Sequence, residues 1–277
     1  MTVLLQVSDT HFGTERPAVV KALVRLARTQ APDVVVLSGD ITQRARRAQF
    51  IAARDFMQSL RVPNMLVIPG NHDIPLFNLP ARLLRPYGNY QRVFGNTLEP
   101  TFESEDLLVL TLNTTSRWRH KNGVVSRAQI ERVARRIEHA GTAQVRVVVT
   151  HQPLEVTKPE DRENLLRGHE AAARAWCDAG VDVVLGGHIH LPFIVAVHRR
   201  YDDMPNTLWA VQAGTAVSSR IRRGADNSVN FIRPAGLLNG RRCIVVERWD
   251  FIEATQRFEC VTSDELHVHP RTHPTVQ

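Results

Sequence analysis

The feature that most narrows the folds open to this chain is a rhythm. Short apolar runs at residues 3–7, 34–37, 65–68, 107–112, 145–149 and 181–185 alternate with longer stretches of helical spacing. Runs of Val, Leu and Ile with little polar alternation read as strands covered on both faces, the condition of a parallel sheet. Between them, residues 17–29 place Val20, Leu23, Val24 and Leu26 three and four apart, and 48–60, 126–138 and 170–179 behave likewise. Ser126 stands where an N-cap belongs, with Gln129 at the capping-box position, and Gly180 stands where a C-cap belongs. Beyond residue 190 the chain turns β-rich, with runs at 194–197, 207–213, 229–232 and 243–249. An α/β fold follows. With 277 residues it can bury a full core, and 1–277 is read as a single domain.

Five of the runs are followed at once by residues that ligate metals. Asp9 and His11 follow the first, Asp40 the second, Asn71 and His72 the third, His151 the run at 145–149, and His188 and His190 the run at 181–185. Open α/β sheets bind ligands at the carboxyl ends of their strands, so five such ends in one sheet are expected to meet on one rim. The donors are oxygen and imidazole with no thiolate, which suits Mn, Fe, Zn or Co. Each signal is weak alone. An Asp-x-His is common, a Gly-Asp after a strand is usually a turn, and a single His such as His151 is usually structural. Gly70-Asn71-His72-Asp73 is rarer, expected by chance in roughly one chain of this length in several hundred. The joint occurrence, in order and at strand ends, carries the argument.

Taken together, Asp9-Thr10-His11, Gly39-Asp40, Gly70-Asn71-His72-Asp73, His151 and Gly187-His188-Ile189-His190 make the chain resemble the calcineurin-like metallophosphoesterases over residues 1 to 215. Within that family, Ser8-Asp9-Thr10-His11-Phe12-Gly13 and Gly123-Val124-Val125-Ser126-Arg127-Ala128-Gln129 look most similar to bacterial class III cyclic-nucleotide phosphodiesterases. The resemblance implies a two-sheet β-sandwich flanked by helices, in four layers αββα, with the β-rich last third supplying strands of the second sheet. It implies two divalent metal ions, one on Asp9, His11 and His190, the other on Asn71, His151 and His188, with Asp40 bridging. Water between two such ions loses a proton readily and attacks phosphorus in line with the leaving alkoxide. His72 is placed to protonate the leaving oxygen or to stabilise developing charge, with Asp73 orienting it.

Charge points the same way. Lys and Arg outnumber Asp and Glu by 35 to 28, a net charge of +7, which favours anionic partners. Arg44, Arg220 and Arg222, from the basic patches 44–47 and 220–223, are the candidate contacts to a substrate phosphate. Arg132, Arg135 and Arg136 read as a solvated helix face. The remaining histidines, including His120, His267, His269 and His273, read as packing or surface residues, the last three able to take up adventitious metal.

Residues 74–105 break the rhythm. With four prolines and Phe77, Tyr87, Tyr90 and Phe94 in 74–101, the segment reads as an excursion, either a lid or a contact between copies in a homo-oligomer. The tail 267–277 is expected to fray. Cys177, Cys243 and Cys260 show neither disulfide nor metal spacing, and no signal segment or membrane span is evident, so a cytoplasmic protein is expected. The expected activity is hydrolysis of a small nucleotide-like phosphodiester. The alternatives are a phosphomonoesterase or pyrophosphohydrolase acting on a nucleotide-linked lipid precursor, then a nuclease or a scaffold that has lost its chemistry. A nuclease is disfavoured because no basic stripe interleaves with aromatics, and a scaffold because the ligand set is complete.

Overall fold

The computed structural model describes residues 1–204, 206–238 and 241–268. Two six-stranded sheets are present. The first runs β12(Arg257–His267)-β11(Arg241–Ile252)-β10(Ser228–Leu238)-β1(Leu4–Val7)-β2(Val34–Ser38)-β3(Asn64–Ile68). The second runs β4(Thr101–Glu103)-β5(Leu107–Thr111)-β6(Val145–Val149)-β7(Val183–Gly186)-β9(Trp209–Gln212)-β8(Phe193–Ala196). The strands β1, β2 and β3 pair in parallel, as do β5, β6, β7 and β9. The helices are α1(Pro17–Gln30), α2(Arg47–Ser59), α3(Leu79–Leu84), α4(Gly88–Phe94), α5(Arg127–Glu138) and α6(His169–Ala179).

Strand periodicity builds the layers. Leu4, Val34, Val36 and Ile68 point inward to meet Leu107, Val109, Val147, Val149, Val183 and Leu185 of the other sheet. Their alternates, Leu5, Val7, Val35 and Leu37, face outward onto Leu23 and Leu26 of α1 and Phe50 and Met57 of α2. On the far side Leu108, Val148 and Val184 pack on Ile130 and Val133 of α5 and on Trp176 of α6. The result is the expected αββα sandwich. Ser126 caps α5, its Oγ accepting from Gln129 N at 3.2 Å while Gln129 Oε1 accepts from Ser126 N at 2.9 Å. Gly180 ends α6 at φ 92°.

Two expectations are corrected. The five ligand-bearing strand ends do not belong to one sheet. Three lie in the first sheet and two in the second: the first sheet ends at β3, and β4 and β5 pair with each other and begin a second sheet, which β6 and β7 continue. The β-rich last third is likewise divided: β8 and β9 join the second sheet, while β10 to β12 extend the first. The excursion holds the short helices α3 and α4, with Tyr90 buried and its hydroxyl donating to the Val67 carbonyl at 2.7 Å. In the tail, His267 is the last residue of β12 and Val268 is buried. Residues 269–277, with His269 and His273, lie outside the described residues. No helix among the described residues is long and apolar enough to cross a membrane.

Candidate metal centre

The carboxyl ends of the two sheets face each other, and every strand-end ligand candidate lies between them. Asp9, His11, Asp40 and His190 have ligand atoms within 4.8 Å of one another, and so do Asp40, His151 and His188. The two sets share Asp40. Its Oδ2 lies 3.7 Å from His11 Nε2 and its Oδ1 lies 3.3 Å from His151 Nε2, so the carboxylate faces both ways. On the first side His190 Nε2 is 3.5 Å from Asp9 Oδ1 and 3.3 Å from His11 Nε2. On the second, Asn71 Oδ1 is 3.2 Å from His151 Nε2.

Two of the histidines, His151 and His190, are held so that Nε2 faces the centre. His151 Nδ1 donates to the Ser38 carbonyl at 2.9 Å, and His190 Nδ1 lies against the Arg220 carbonyl and, at 2.6 Å, Thr215 Oγ1. Fixing the far nitrogen in this way sets the tautomer and leaves the near lone pair for a ligand. Neither ring nitrogen of His188, both of them buried, has a hydrogen-bond partner among the described residues, and His11 Nδ1 has none. A buried imidazole without partners is costly, and a cation beside it removes the cost. The residues therefore fit a pair of borderline cations.

Electrostatics follow from burial and crowding. Burial, then the neighbouring His151, depresses His188 to about 3. Burial holds His11 well below its ordinary value. Burial also disfavours charge on His151 and Asp40, yet each stabilises the other: His151 rises to about 9 and Asp40 falls well below the carboxylate range. Asp9 is pushed up, first by burial.

A polar floor beneath the centre gave no signal in the sequence. Buried Gln6 donates to the Gly186 carbonyl at 2.9 Å and accepts from Asn230 at 2.9 Å, and Gln212 donates to the Gly187 carbonyl. These bonds hold the turn that carries His188, whose own N–H donates to Asp9 Oδ2 at 2.9 Å.

His72 stands at the edge, Nε2 4.0 Å from Asp40 Oδ2. The Gln43 carbonyl, 3.2 Å from Nδ1, can only accept, and Arg220, 3.2 Å from Nε2, can only donate. His72 thus carries its proton on Nδ1 in this arrangement. Asp73 does not orient it. The Asp73 carboxylate accepts from the N–H groups of Gly70 (2.8 Å), Ile41 (3.0 Å) and Thr42 (2.8 Å) and from the Thr42 hydroxyl (2.8 Å). The turn at Asn71–Asp73 aims this side chain at the N–H groups of Ile41 and Thr42 just after Asp40, so it braces the bridging residue. Burial and Asp40 raise it to about 6.

Of the three candidate arginines, Arg220 reaches the centre, with its second hydrogen bond to Gln43 Oε1 at 2.9 Å. Arg222 lines the same cavity but is held by both oxygens of Asp161 at 2.8 and 2.9 Å. Arg44 is exposed, its guanidinium 5.6 Å over the Phe77 ring. Two cavities meet at His72. One of about 390 Å³ is lined by the ligand candidates Asp40, Asn71, His188 and His190 with Lys121, Arg220 and Arg222. The other, about 600 Å³, runs past Gln43, Arg44, Ile74 and Phe77. His120, read as an ordinary surface residue, lines both, its ring 6.4 Å from that of His72. It belongs to no motif and only the fold of its loop brings it here.

Fold and ligand sets together define a class, the dinuclear metal-dependent phosphoesterases. The sequence model of the calcineurin-like phosphoesterase family matches residues 2–192, and the chain belongs to that family. A glycerophosphodiester phosphodiesterase from Enterobacter lignolyticus is 37% identical over 84 residues, which span 26% of this chain and 29% of that enzyme. A dimetal phosphatase from Danio rerio superposes with a TM-score of 0.64 at 13% identity, covering 97% of this chain and 99% of that one. Purple acid phosphatase from yellow lupin, Lupinus luteus, gives 0.67 at 12% identity, covering 96% and 53%. At such identities the structural likeness speaks for the fold.

Proposed function

We propose that the chain is a phosphodiesterase on a small nucleotide-like substrate, with Asp9, His11, Asp40, Asn71, His151, His188 and His190 as metal ligands and His72 at the reacting centre. The observation that carries this reading is the pair of cavities joined at His72, which gives room for a substituent on each side of one phosphorus. A monoester needs only one. Similarity to a glycerophosphodiester phosphodiesterase supports the same choice. Two divalent cations held by the seven ligands, drawn from manganese, iron, zinc or cobalt, would neutralise phosphoryl charge and acidify a water. Arg220 donates to a non-bridging phosphate oxygen. When Arg220 turns from His72 Nε2 to the phosphate, that nitrogen, between the two cavities, is left to face the leaving oxygen, and a proton delivered through it is what that oxygen needs. Arg44 offers its guanidinium to the departing group, and Arg222, held by Asp161, lends charge without turning.

A second reading, hydrolysis of a monoester or pyrophosphate in a nucleotide-linked lipid precursor, draws on the apolar wall of the larger cavity at Ile74, Pro75, Leu76 and Phe77. Hydrolysis of bis(p-nitrophenyl) phosphate against p-nitrophenyl phosphate, after chelation and reloading with Mn²⁺, separates the two. Diester turnover restored by metal and abolished by Asp40→Ala is expected. Turnover of the monoester alone would favour the second reading.

A further inference from the structure

Beside the site lies an apolar surface that the reaction uses only at Phe77. Of the large apolar side chains exposed among the described residues, Phe77 (80% exposed), Leu79 (61%), Leu83 (40%) and Leu84 (80%) belong to the excursion, and Trp118 (76%) to the loop after β5. The two segments are fastened together. Buried Arg82 donates to the carbonyls of Arg119 at 2.7 Å and Pro75 at 3.3 Å, and Arg117 donates to that of Leu83 at 2.6 Å. The five side chains therefore project from one joined pair of segments, and apolar groups gathered in this way mark a surface that something covers.

Charge identifies what covers it. Residues 74–98 and 107–130 contain no Asp or Glu, while they hold Arg82, Arg85, Arg92, Arg117, Arg119, Lys121 and Arg127. Lys121 and Arg127 are matched by Glu163 and Glu131 from outside these stretches. Arg85, Arg92, Arg117 and Arg119 are exposed, as is Arg44 over Phe77, and none of them forms an ion pair among the described residues. A second copy is a poor occupant, because a two-fold contact would set these arginines against themselves with no acid in either patch. Nucleic acid is also a poor occupant, since three of the five side chains, Leu79, Leu83 and Leu84, are aliphatic and offer no ring face on which a base can stack.

We propose that this edge docks the protein on an anionic lipid surface. Leu79, Leu83, Leu84, Phe77 and Trp118 enter the boundary between head groups and acyl chains, and the arginines meet the lipid phosphates. Phe77 and Ala81 also line the larger cavity, so a docked molecule holds the mouth of that cavity at the lipid surface.

The test is co-flotation of the full chain with phosphatidylcholine vesicles, plain or doped with phosphatidylglycerol. Binding to the doped vesicles should be at least about tenfold tighter and should fade with added salt. Tryptophan emission should shift to the blue on binding, and Trp118→Phe should remove the shift while binding persists. Leu84→Glu and Arg85→Glu, both at exposed positions, should each weaken binding about tenfold with thermal stability unchanged. Equal binding to both vesicle types, or binding indifferent to both variants, overturns the proposal. So does retention of the protein by a single-stranded oligonucleotide but not by vesicles. A dimer in sedimentation that Leu84→Glu dissolves, with no vesicle binding, overturns it in favour of self-association.

Discussion

Five of the seven candidate ligands, Asp9, His11, Asp40, His188 and His190, hold φ angles between 41° and 73°, in the left-handed region. Residues other than glycine adopt it at a cost of about 1–2 kcal/mol each. The strained turns are what fold each side chain back over the end of its strand, and the hydrogen bonds around Asp9, Asp40 and His188 hold them there. Chemistry and support are thereby divided between adjacent residues. His72→Ala removes a ring that touches only the edge of the centre, and the variant should lose about 10²–10⁴-fold in turnover with its metal content and melting temperature intact. Asp73→Ala instead strips the acceptor from three buried N–H groups and a hydroxyl. It should lose about 3 kcal/mol or more of stability in denaturant and give up metal as Asp40 loosens. Equal loss of metal in both variants would contradict the division.

At the level of elements, the turn after β7 decides how closely the two sheets approach at the rim. A Cβ on Gly187 would stand 2.5 Å from Asp9 Oδ2 and against Ser8 Oγ. The turn cannot retreat, because the Gly187 N–H donates to the His151 carbonyl at 2.8 Å and its own carbonyl accepts from Gln212. Gly187→Ala should therefore weaken metal binding about 10–100-fold, the size of a disturbed supporting shell; a metal titration of the apo protein reads it. The βα rhythm made such turns legible in the sequence. Strands β1, β2, β3, β6 and β7 announced themselves by apolar runs, and their ligands by position. What sequence spacing did not carry was which sheet each run joins, since a run buried on both faces looks alike in either. It also hid β12, whose residues are mostly exposed, so that Arg257–His267 has no apolar alternation to betray it. The hairpin of β10 and β11 extends beyond its apolar centre through residues such as Ser228, Arg233 and Asp250, whose polarity hides strand character even where they are buried. His120 and the Gln6, Asn230 and Gln212 floor were invisible because their roles arise from contacts between residues far apart in the chain.

For the molecule as a whole, the centre spans the sandwich: Asp9, His11, Asp40 and Asn71 come from the first sheet, and His151, His188 and His190 from the second. Ions bound there tie the two sheets at one rim, and binding to the folded state alone raises its stability. At about 100 times the dissociation constant the gain is about 2.7 kcal/mol, which for a chain of this size is roughly 5–10 °C in melting temperature. The gain should depend on pH in a defined direction. In the metal-free protein burial disfavours a charged His151, but Asp40, Asp9 and the Ser38 carbonyl overcome it and raise the group to about 9. An ion must displace that proton, so below pH 9 the apparent affinity falls about tenfold per pH unit. His188, held neutral with a pKa of about 3, adds nothing to this dependence near neutrality. Scans of chelated protein with and without Mn²⁺ should thus show a thermal shift that grows from pH 6 to pH 8. Asp40→Ala should show little shift at either pH, because it removes the carboxylate common to both ligand sets. A wild-type shift that shrank as pH rose would mean that proton displacement from His151 does not control occupancy, and the coupling between that imidazole and Asp40 would have to be abandoned as its cause.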